Sequence, residues 1–330
     1  MAVRKIATTT YKKDLSPILT IFRLMPESGS QFPESQAGQY IALRRDDCKL
    51  TKKTGVGPDG KPEYGPLLDE LGNRKIGAVT HSYSISSAPW ETEEKGFLEF
   101  YVVLEIVNDG SPGRLSESFF RLDPEKDSSV TYFERITGNF TLADRSNGHE
   151  SVIMVGTGTG LAPFIAMMKQ LHYEASRSKG GDSRQYTVLH TNRTYEELAY
   201  HEELLEIETS GKLDFVYIPT VSRPKQRDID DKAMGQGRAN NVLRYIFDLP
   251  LKEEEIVQEI RARGEDTAKA QSVLDRTVRP ILPQQINLSS LRDRLTPSRT
   301  VLMTCGNPSS MTDMELTTKR NNIRFEMEEW

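Results

Sequence analysis

The chain has 330 residues, of which 36% are hydrophobic and 28% charged, and its formal net charge is −5. This length and composition predict a globular protein of two domains, give no general attraction to nucleic acid, and include no run of about 18 apolar residues that would span a membrane. The N-terminal residues lack the apolar region of a signal peptide. Two cysteines, Cys48 and Cys305, are too few for a disulfide framework or a four-thiolate iron–sulfur centre, so we expect a cytoplasmic protein without a metal site.

Residues 1–146 carry short runs of β-branched and aromatic residues separated by clusters of Gly, Pro, Asp and Asn. Such runs predict β-strands joined by turns, and their spacing indicates a small antiparallel β-barrel. Residues 48–77 are polar and rich in Gly and Pro, which predicts a long loop or a hairpin insertion. The predicted strands are residues 17–24, 39–45, 81–87, 97–107 and 129–136.

The pattern changes at residues 144–150, DRSNGHE, a turn-rich segment where we expect the domain boundary. From residue 147 onward, continuous apolar runs alternate with helix-like stretches. This pattern indicates a parallel α/β sheet, because strands buried on both faces are apolar throughout. The charged stretch 252–276 predicts a solvated surface helix within an insertion at about 225–295. The predicted strands of this domain are residues 151–155, 186–190, 213–221 and 301–305.

The first of these strands runs into GTGTG at residues 156–160, and a helix is predicted to begin near Pro163. Glycines permit a tight turn and a close backbone approach, and the first N–H groups of a helix bind anions, so this turn could hold a pyrophosphate. Leu161 stands where the dinucleotide fingerprint G-x-G-x-x-G has its third glycine. The alternative is a strand-to-helix turn without a ligand, which is common in α/β folds.

The loops after the next two strands carry cations where an NAD-binding domain often has an acid. The second strand ends at Asn192 and Arg193, and the third is followed by Ser222 and Arg223, with Arg238 further along. Loops at the carboxyl ends of parallel strands converge, so these three arginines could surround one phosphate. The pattern therefore predicts NADP(H) rather than NAD(H). The alternative is that the arginines are separate surface residues.

Seven short motifs occur in order between residue 81 and the last residue: HSYSISSAP (81–89), GRLSESFF (113–120), TGNF (137–140), GTGTGLAPF (156–164), TVSRP (220–224), MTCGNPSSM (303–311) and FEMEEW (325–330). In this order they resemble the ferredoxin–NADP⁺ reductase superfamily, and most of all the bacterial ferredoxin/flavodoxin–NADP⁺ reductases. The resemblance implies an FAD-binding antiparallel β-barrel over residues 1–146, followed by an NADP(H)-binding parallel α/β domain over residues 147–330.

The resemblance implies an FAD site in the first domain. By the family's R-x-Y-S motif, Tyr83 would stack on the flavin and Ser84 would bond near its N5, whereas a solvent-facing strand is the alternative. His81 stands where the family has an arginine, and Arg74 and Lys75 are candidates to replace that cation. GRLSESFF could otherwise be an ordinary helix start capped by Ser116. The other implied FAD residues are Ser82, Val102, Val103, Leu104, Arg114, Leu115 and Ser116.

The resemblance also implies an NADP(H) site in the second domain. Arg193, Arg223 and Arg238 would bind the 2′-phosphate. Cys305 would lie beside the nicotinamide, although a small buried strand residue is the alternative for it. Trp330 would cover the flavin and move before hydride transfer, unless it is a frayed tail. The other implied residues are Thr157, Gly158, Thr159, Gly160, Asn192, Ser222 and Gly306; the catalytic set is Tyr83, Ser84, Cys305 and Trp330.

The implied activity is hydride transfer between NADP(H) and FAD, with single-electron exchange to or from ferredoxin or flavodoxin, by a monomer or a weak dimer. Such carriers are generally acidic, and a basic cluster before the insertion could dock one, although a solvated loop is the alternative. Two other interpretations stay open: the reductase component of an oxygenase system, and a flavin- and nucleotide-binding subunit of a larger redox complex. The cluster consists of Arg44, Arg45, Lys49, Lys52 and Lys53.

Overall fold

The computed structural model describes residues 3–57, 62–106, 111–177 and 182–328, and the chain forms two compact units, Met1–Asn139 and Phe140–Trp330. Trp330, the predicted cover of the flavin, lies outside the described residues. Within the described ranges, no helix combines the length and the apolar character needed to cross a bilayer.

The first unit is built on a six-stranded antiparallel sheet that curls into a half-barrel, in the order β6-β3-β8-β1-β2-β7. The strands β4 and β5 form a separate hairpin, and two short helices complete the unit. In chain order the elements are β1 (Arg4–Ser16), β2 (Leu19–Pro26), β3 (Tyr40–Lys49), β4 (Thr51–Val56), β5 (Pro62–Pro66), β6 (Ile76–Ser84), α1 (Pro89–Lys95), β7 (Leu98–Val103), α2 (Arg114–Phe120) and β8 (Ser129–Thr137).

The structure confirms the five predicted strands of this unit and the hairpin in residues 48–77. The inner face of the sheet packs large apolar side chains such as Phe22, Leu43 and Phe100 against one another. Strand β1 was not predicted. Only Ala7 and Thr9 of its 13 residues are buried, so its sequence lacks the apolar face that identifies a half-buried strand.

The second unit contains a six-stranded parallel sheet in the order β12-β11-β10-β9-β13-β14, which confirms the predicted α/β architecture. Strands β9, β10 and β13 are buried almost throughout, as the continuous apolar runs predicted. The strands are β9 (Ser151–Thr157), β10 (Gln185–Asn192), β11 (Asp214–Val221), β12 (Gly235–Gln236), β13 (Thr300–Cys305) and β14 (Arg324–Met327).

Helices cover both faces of this sheet. The predicted surface helix over residues 252–276 is two helices, α8 and α9, because the chain turns at Gly264 with a positive φ of 71°. The helices are α3 (Leu142–Arg145), α4 (Ala162–Arg177), α5 (His201–Thr209), α6 (Gln226–Asp230), α7 (Ala239–Ile246), α8 (Lys252–Ala262), α9 (Ala268–Asp275), α10 (Leu288–Arg294) and α11 (Pro308–Arg320).

The compact units divide after residue 139, a few residues before the predicted boundary at 146. Two contacts tie the intervening residues to the second unit. The Phe140 ring lies 5.8 Å from the ring of Phe164 on α4, and Arg184 donates a hydrogen bond of 2.9 Å to the hydroxyl of Ser146. The turn-rich composition of residues 144–150 therefore marks a loop just inside the second unit.

Candidate functional site

A cleft of about 330 Å³ opens at the carboxyl edge of the parallel sheet, where the loops after β9, β10 and β11 meet the starts of α7 and α11. This is the edge at which α/β sheets bind their ligands. Of the predicted nucleotide residues, the cleft brings together six: Thr157, Gly158, Asn192, Arg193, Ser222 and Arg238. Among the described residues, Thr159, Gly160, Arg223, Cys305 and Gly306 do not line it.

The glycine turn after β9 packs directly against the turn after β13. The turn forms a short 3₁₀ helix at Gly158–Leu161 before α4 begins. A Cβ at Gly160 would lie 2.1 Å from the carbonyl oxygen of Cys305, and one at Gly306 would lie 2.1 Å from the hydroxyl of Thr157. The same hydroxyl accepts a hydrogen bond of 3.2 Å from the N–H of Asn307. These glycines therefore allow a close approach of two backbones, which places Thr157 and Gly158 at the cleft.

Two of the predicted arginines lie at the cleft, and each is paired with a carboxylate that the sequence analysis did not identify. The Nε of Arg193 donates to Glu197 at 2.8 Å, and its Nη2 contacts the second oxygen of the same carboxylate. Arg238 pairs more loosely with Glu253, at 3.5 Å. The sequence does not single out Glu197 or Glu253, because each lies among other acidic residues and resembles an ordinary solvated helix residue.

Arg223 lies beside the cleft rather than within its lining. Its side chain is exposed, and its backbone N–H donates to the carbonyl of Arg193 at 2.8 Å. The N–H of Ser222 donates to the carbonyl of Asn192 at 2.9 Å in the same way. These two backbone bonds continue the ladder between β10 and β11 beyond the strand ends, so the two loops are held together.

The Asn192 side chain organises the loop after β10. Its amide nitrogen donates to the carbonyl of Glu197 at 2.6 Å, and its amide oxygen accepts from the N–H of Arg193 at 3.0 Å. Asn192 is buried. The residue therefore fixes the loop that carries Arg193, a role that the sequence pattern did not predict.

Cys305 ends β13 and is buried, with 1% of its surface exposed. Its thiol donates to the carboxylate of Glu328 at a distance of 3.0 Å. Glu328 is itself buried, and its N–H donates to the carbonyl of Thr304. Cys305 therefore has the burial that the alternative described, while its place beside the nicotinamide stays a prediction. The hydrogen bond adds Glu328, within the FEMEEW motif, to the groups around it.

A chain of three buried or half-buried groups runs beside β10. The hydroxyl of Tyr217 lies 3.2 Å from Nδ1 of His190 and 3.0 Å from Nδ1 of His201. Burial lowers the pKa of His190 to about 3, raises the pKa of Tyr217 well above its usual range, and lowers the pKa of His201. All three groups are therefore neutral at pH 7, so this row of hydrogen-bonded side chains adds no charge to the second unit.

Tyr83 lies near the end of β6 in the first unit, where it is paired with Ile41 of β3. Its ring is half-buried and meets the ring of Phe119 edge to face, at 5.2 Å and 74°. Burial raises the pKa of Tyr83 above its usual range, so its hydroxyl stays protonated. Ser84 is buried, whereas His81 and Ser82 are exposed. Tyr83 is thus held by the core along part of its ring.

The start of α2 differs from the alternative in which Ser116 caps it. The helix begins at Arg114 with Gly113 as its N-cap, so that alternative is wrong. The Ser116 hydroxyl instead accepts from the N–H of Glu105 at 3.2 Å. A Cβ at Gly113 would lie 2.9 Å from the carboxylate of Glu105, so this carboxylate sits close to the helix start. A pyrophosphate at α2 would require Glu105 to move away, since like charges repel.

The other predicted FAD residues divide between the core and the surface. Leu115 and Val102 are buried in the half-barrel core, so only their backbones could reach a ligand. Val103 is 37% exposed, and Leu104 is half-buried, with its N–H donating to the carbonyl of Ile18.

The predicted basic surface is largely neutralised. Arg45 is buried and bonds to both Asp47 and Asp127, so its assignment to a docking surface is wrong. Arg44 pairs with Asp46 and Lys49 pairs with Glu117, each at 2.7 Å, while Lys52 and Lys53 are exposed on β4. Lys49 faces Ile76, seven residues from Tyr83 along β6, which is about 23 Å at roughly 3.3 Å per residue.

Residues 154–257 match the family model of the oxidoreductase NAD-binding domain. The chain is 30% identical over 171 residues to the inducible nitric oxide synthase of Canis lupus familiaris, covering 50% of this chain and 14% of that protein. It is 36% identical over 101 residues to the sulfite reductase (NADPH) flavoprotein alpha-component of Yersinia enterocolitica, covering 29% and 16%. The chain thus spans less than a fifth of the length of these relatives.

The fold is similar over its whole length to a solved structure, the ferredoxin NADP⁺ reductase from Neisseria gonorrhoeae with bound FAD and NADP. The TM-score is 0.55 with 19% sequence identity, and the match covers 99% of both chains. Residues 154–257 of the second unit thus match an oxidoreductase NAD-binding domain, and the chain has a fold like that of the ferredoxin NADP⁺ reductase from Neisseria gonorrhoeae. This fold agrees with the fold that the seven motifs implied.

Proposed function

We propose that this chain is an NADPH-dependent FAD oxidoreductase that exchanges single electrons with ferredoxin or flavodoxin. The observation that carries the proposal is the cleft at the carboxyl edge of the parallel sheet, where Arg193, Arg238 and Ser222 meet the glycine turn. Two guanidinium groups at this edge match the charge and the geometry of a phosphate.

The cleft residues fit an NADPH molecule better than an NADH molecule. Strand β10 ends at Asn192, whose side chain is engaged with the loop backbone, rather than at an acid directed to a ribose. The nearest loop carboxylate, Glu197, is bonded to Arg193. A 2′-phosphate would lie on Arg193 and Arg238, with the exposed Arg223 alongside, and the pyrophosphate would lie on the glycine turn.

The first unit offers a fit for FAD at the end of β6. Tyr83 meets Phe119 edge to face and is only partly buried, so the part of its ring that stays exposed can support a planar ring, and the buried Ser84 follows it. His81 is exposed where the family has an arginine, so this position lacks the guanidinium that the family offers to FAD. Bound FAD would accept a hydride and release electrons one at a time. The chain's own residues would bind and orient the ring.

Exposed lysines and the two cysteines support the proposed electron carrier and the proposed cytoplasmic location. Lys52 and Lys53 are the members of the basic cluster that stay exposed on the β4–β5 hairpin, and they would favour an acidic carrier. Neither Cys48 nor Cys305 forms a disulfide within the described chain, which supports a reducing compartment such as the cytoplasm. We propose a monomer as the working form.

A visible spectrum and a coenzyme comparison test the proposal. The purified protein should absorb in the flavin bands, release FAD on denaturation, and reduce ferricyanide with NADPH at a kcat/KM at least tenfold above that with NADH. Electron delivery should then be measured to purified ferredoxin, flavodoxin and an oxygenase. A colourless protein, or equal use of both coenzymes, would overturn the proposal, and transfer to the oxygenase alone would replace the proposed partner.

A further inference from the structure

The loop that carries Arg193 places one carboxylate against this guanidinium. Glu197 lies four residues after Arg193, in the 3₁₀ helix Tyr195–Glu197, and its side chain is only 6% exposed. Both of its oxygens contact the guanidinium, one through Nε at 2.8 Å and the other through Nη2. A bidentate contact of this kind fixes the plane of the guanidinium as well as its position.

The backbone of the same loop is fixed independently of this contact. Asn192 bonds to the N–H of Arg193 and to the carbonyl of Glu197, and the N–H of Arg223 bonds to the carbonyl of Arg193. The contact between the two side chains therefore acts on a loop that is already held. Its removal should take away this bidentate contact without releasing the loop.

We propose that Glu197 is a positioning residue for coenzyme selectivity: it holds the Arg193 guanidinium ready for the 2′-phosphate of NADPH. This inference rests on the proposed function and extends it to a residue that would not touch the coenzyme. A guanidinium has five N–H donors, so a carboxylate that takes two of them does not prevent the same group from binding a phosphate. A guanidinium that is already oriented loses less side-chain entropy when the phosphate arrives.

The same carboxylate also carries a negative charge that would repel a phosphate, so the two effects have opposite signs. The buried Glu197 charge is already paired with the guanidinium, and Arg193 keeps 35% of its side chain exposed, so a phosphate bound on Arg193 meets a partly compensated charge and stays in contact with water. The entropy cost of ordering a long side chain is not screened. We therefore expect the ordering effect to dominate, and removal of Glu197 to weaken NADPH binding.

The test compares Glu197→Ala, Glu197→Gln and the matched control Glu196→Gln. Glu196 is the adjacent carboxylate, half-exposed, and it pairs with Lys225 at 3.2 Å instead of with an arginine of the cleft. Glu197→Ala should raise the KM for NADPH about fivefold to tenfold, as expected when one arginine must be ordered during binding, with kcat unchanged. The KM for NADH should change less than twofold. Glu197→Gln, which keeps an acceptor oxygen, should lie between, and Glu196→Gln should match the wild type.

A second readout avoids any dependence on flavin or turnover. Calorimetric titration with 2′,5′-ADP should show the same ranking of the variants, whereas 5′-ADP should bind all of them equally. Tighter NADPH binding in Glu197→Ala, equal losses for both coenzymes, or no change in any variant would overturn the inference. If wild-type protein itself does not prefer NADPH, the proposed function fails; if it does and the variants do not respond, only the role of Glu197 fails.

Discussion

The Gly160→Ala substitution tests the close approach of the two turns behind the cleft. A Cβ at residue 160 would lie 2.1 Å from the carbonyl oxygen of Cys305 and 2.8 Å from the Cα of Gly306. Ordinary van der Waals contact begins near 3.4 Å, so the turns must separate by about 1.3 Å along the tightest contact. The atoms that clash belong to the backbone, so no side chain can rotate away to relieve the overlap.

Two effects follow from this displacement. Inserting a methyl group into a packed site usually lowers the free energy of unfolding by about 1–3 kcal/mol. Thr157 and Gly158 precede Gly160 in the turn and line the cleft, so the displacement also moves the predicted phosphate site. A misplacement of about 1 Å in a positioned group can lower activity roughly a hundredfold. A hundredfold loss corresponds to about 2.8 kcal/mol. We therefore expect the NADPH affinity and the free energy of unfolding to fall by comparable amounts.

Urea unfolding and calorimetric titration with NADPH separate the two effects, with Gly211→Ala as the control. Gly211 has a φ of +63° and no heavy atom within 4 Å of an added Cβ, and it lies in the loop between α5 and β11. Its substitution should cost about 1–2 kcal/mol through backbone strain and leave the NADPH affinity unchanged. If Gly160→Ala were as stable as the wild type and bound NADPH equally well, the close approach would not shape the site.

The remaining predictions concern titratable and charged groups of the second unit. Arg238→Ala should raise the KM for NADPH roughly tenfold, because a charge-assisted phosphate contact is lost. Arg223→Ala should raise this KM less, since Arg223 lies outside the cleft lining. The KM for NADH is the internal control for both variants. Arg244→Ala should lower the free energy of unfolding by about 3–5 kcal/mol, because its partner Asp313 is equally buried and would keep only the hydrogen bond from Asn240, with no guanidinium to balance its charge. The paired change of Arg244 to Met and Asp313 to Leu should cost less, and an equal cost would contradict this account. His190→Phe should flatten the pH dependence of stability. The pKa of His190 is 6.5 in the unfolded chain and about 3 in the folded chain, so the wild-type free energy of unfolding falls as the pH drops from 6.5 towards 3. Urea midpoints at several pH values will show whether the variant loses this slope.

The sequence predicted the parallel sheet well because its central strands are apolar on both faces. The runs at 151–155, 186–190 and 301–305 became β9, β10 and β13 with small changes of boundary. Strand β1 could not be predicted in the same way, since most of its side chains are exposed or only partly buried and its two buried positions are Ala7 and Thr9. Strand β12 has two residues, which is too short to leave any periodic signal.

The candidate site was predictable where it depends on strand ends and unpredictable where it depends on side-chain partners. Topology alone brings Arg193 and Arg238 to one edge of the sheet. The partners Glu197 and Glu253 are single acids within acidic segments, and nothing in the spacing separates them from their neighbours. Arg45 illustrates the opposite error, because a cation in a basic run was expected at the surface and is instead buried between two aspartates.

These partners change how the cleft would attract a phosphate. Arg193 and Arg238 each share their charge with a carboxylate, and among the described residues Arg223 has no carboxylate within ion-pair distance. The long-range attraction of the cleft is therefore smaller than that of three uncompensated cations. The proposed selectivity for a 2′-phosphate would then come from short-range geometry, in which guanidinium groups already held in place would meet the phosphate oxygens directly. This dependence on geometry is why the packing of the glycine turn and the contact between Glu197 and Arg193 matter more here than the count of arginines.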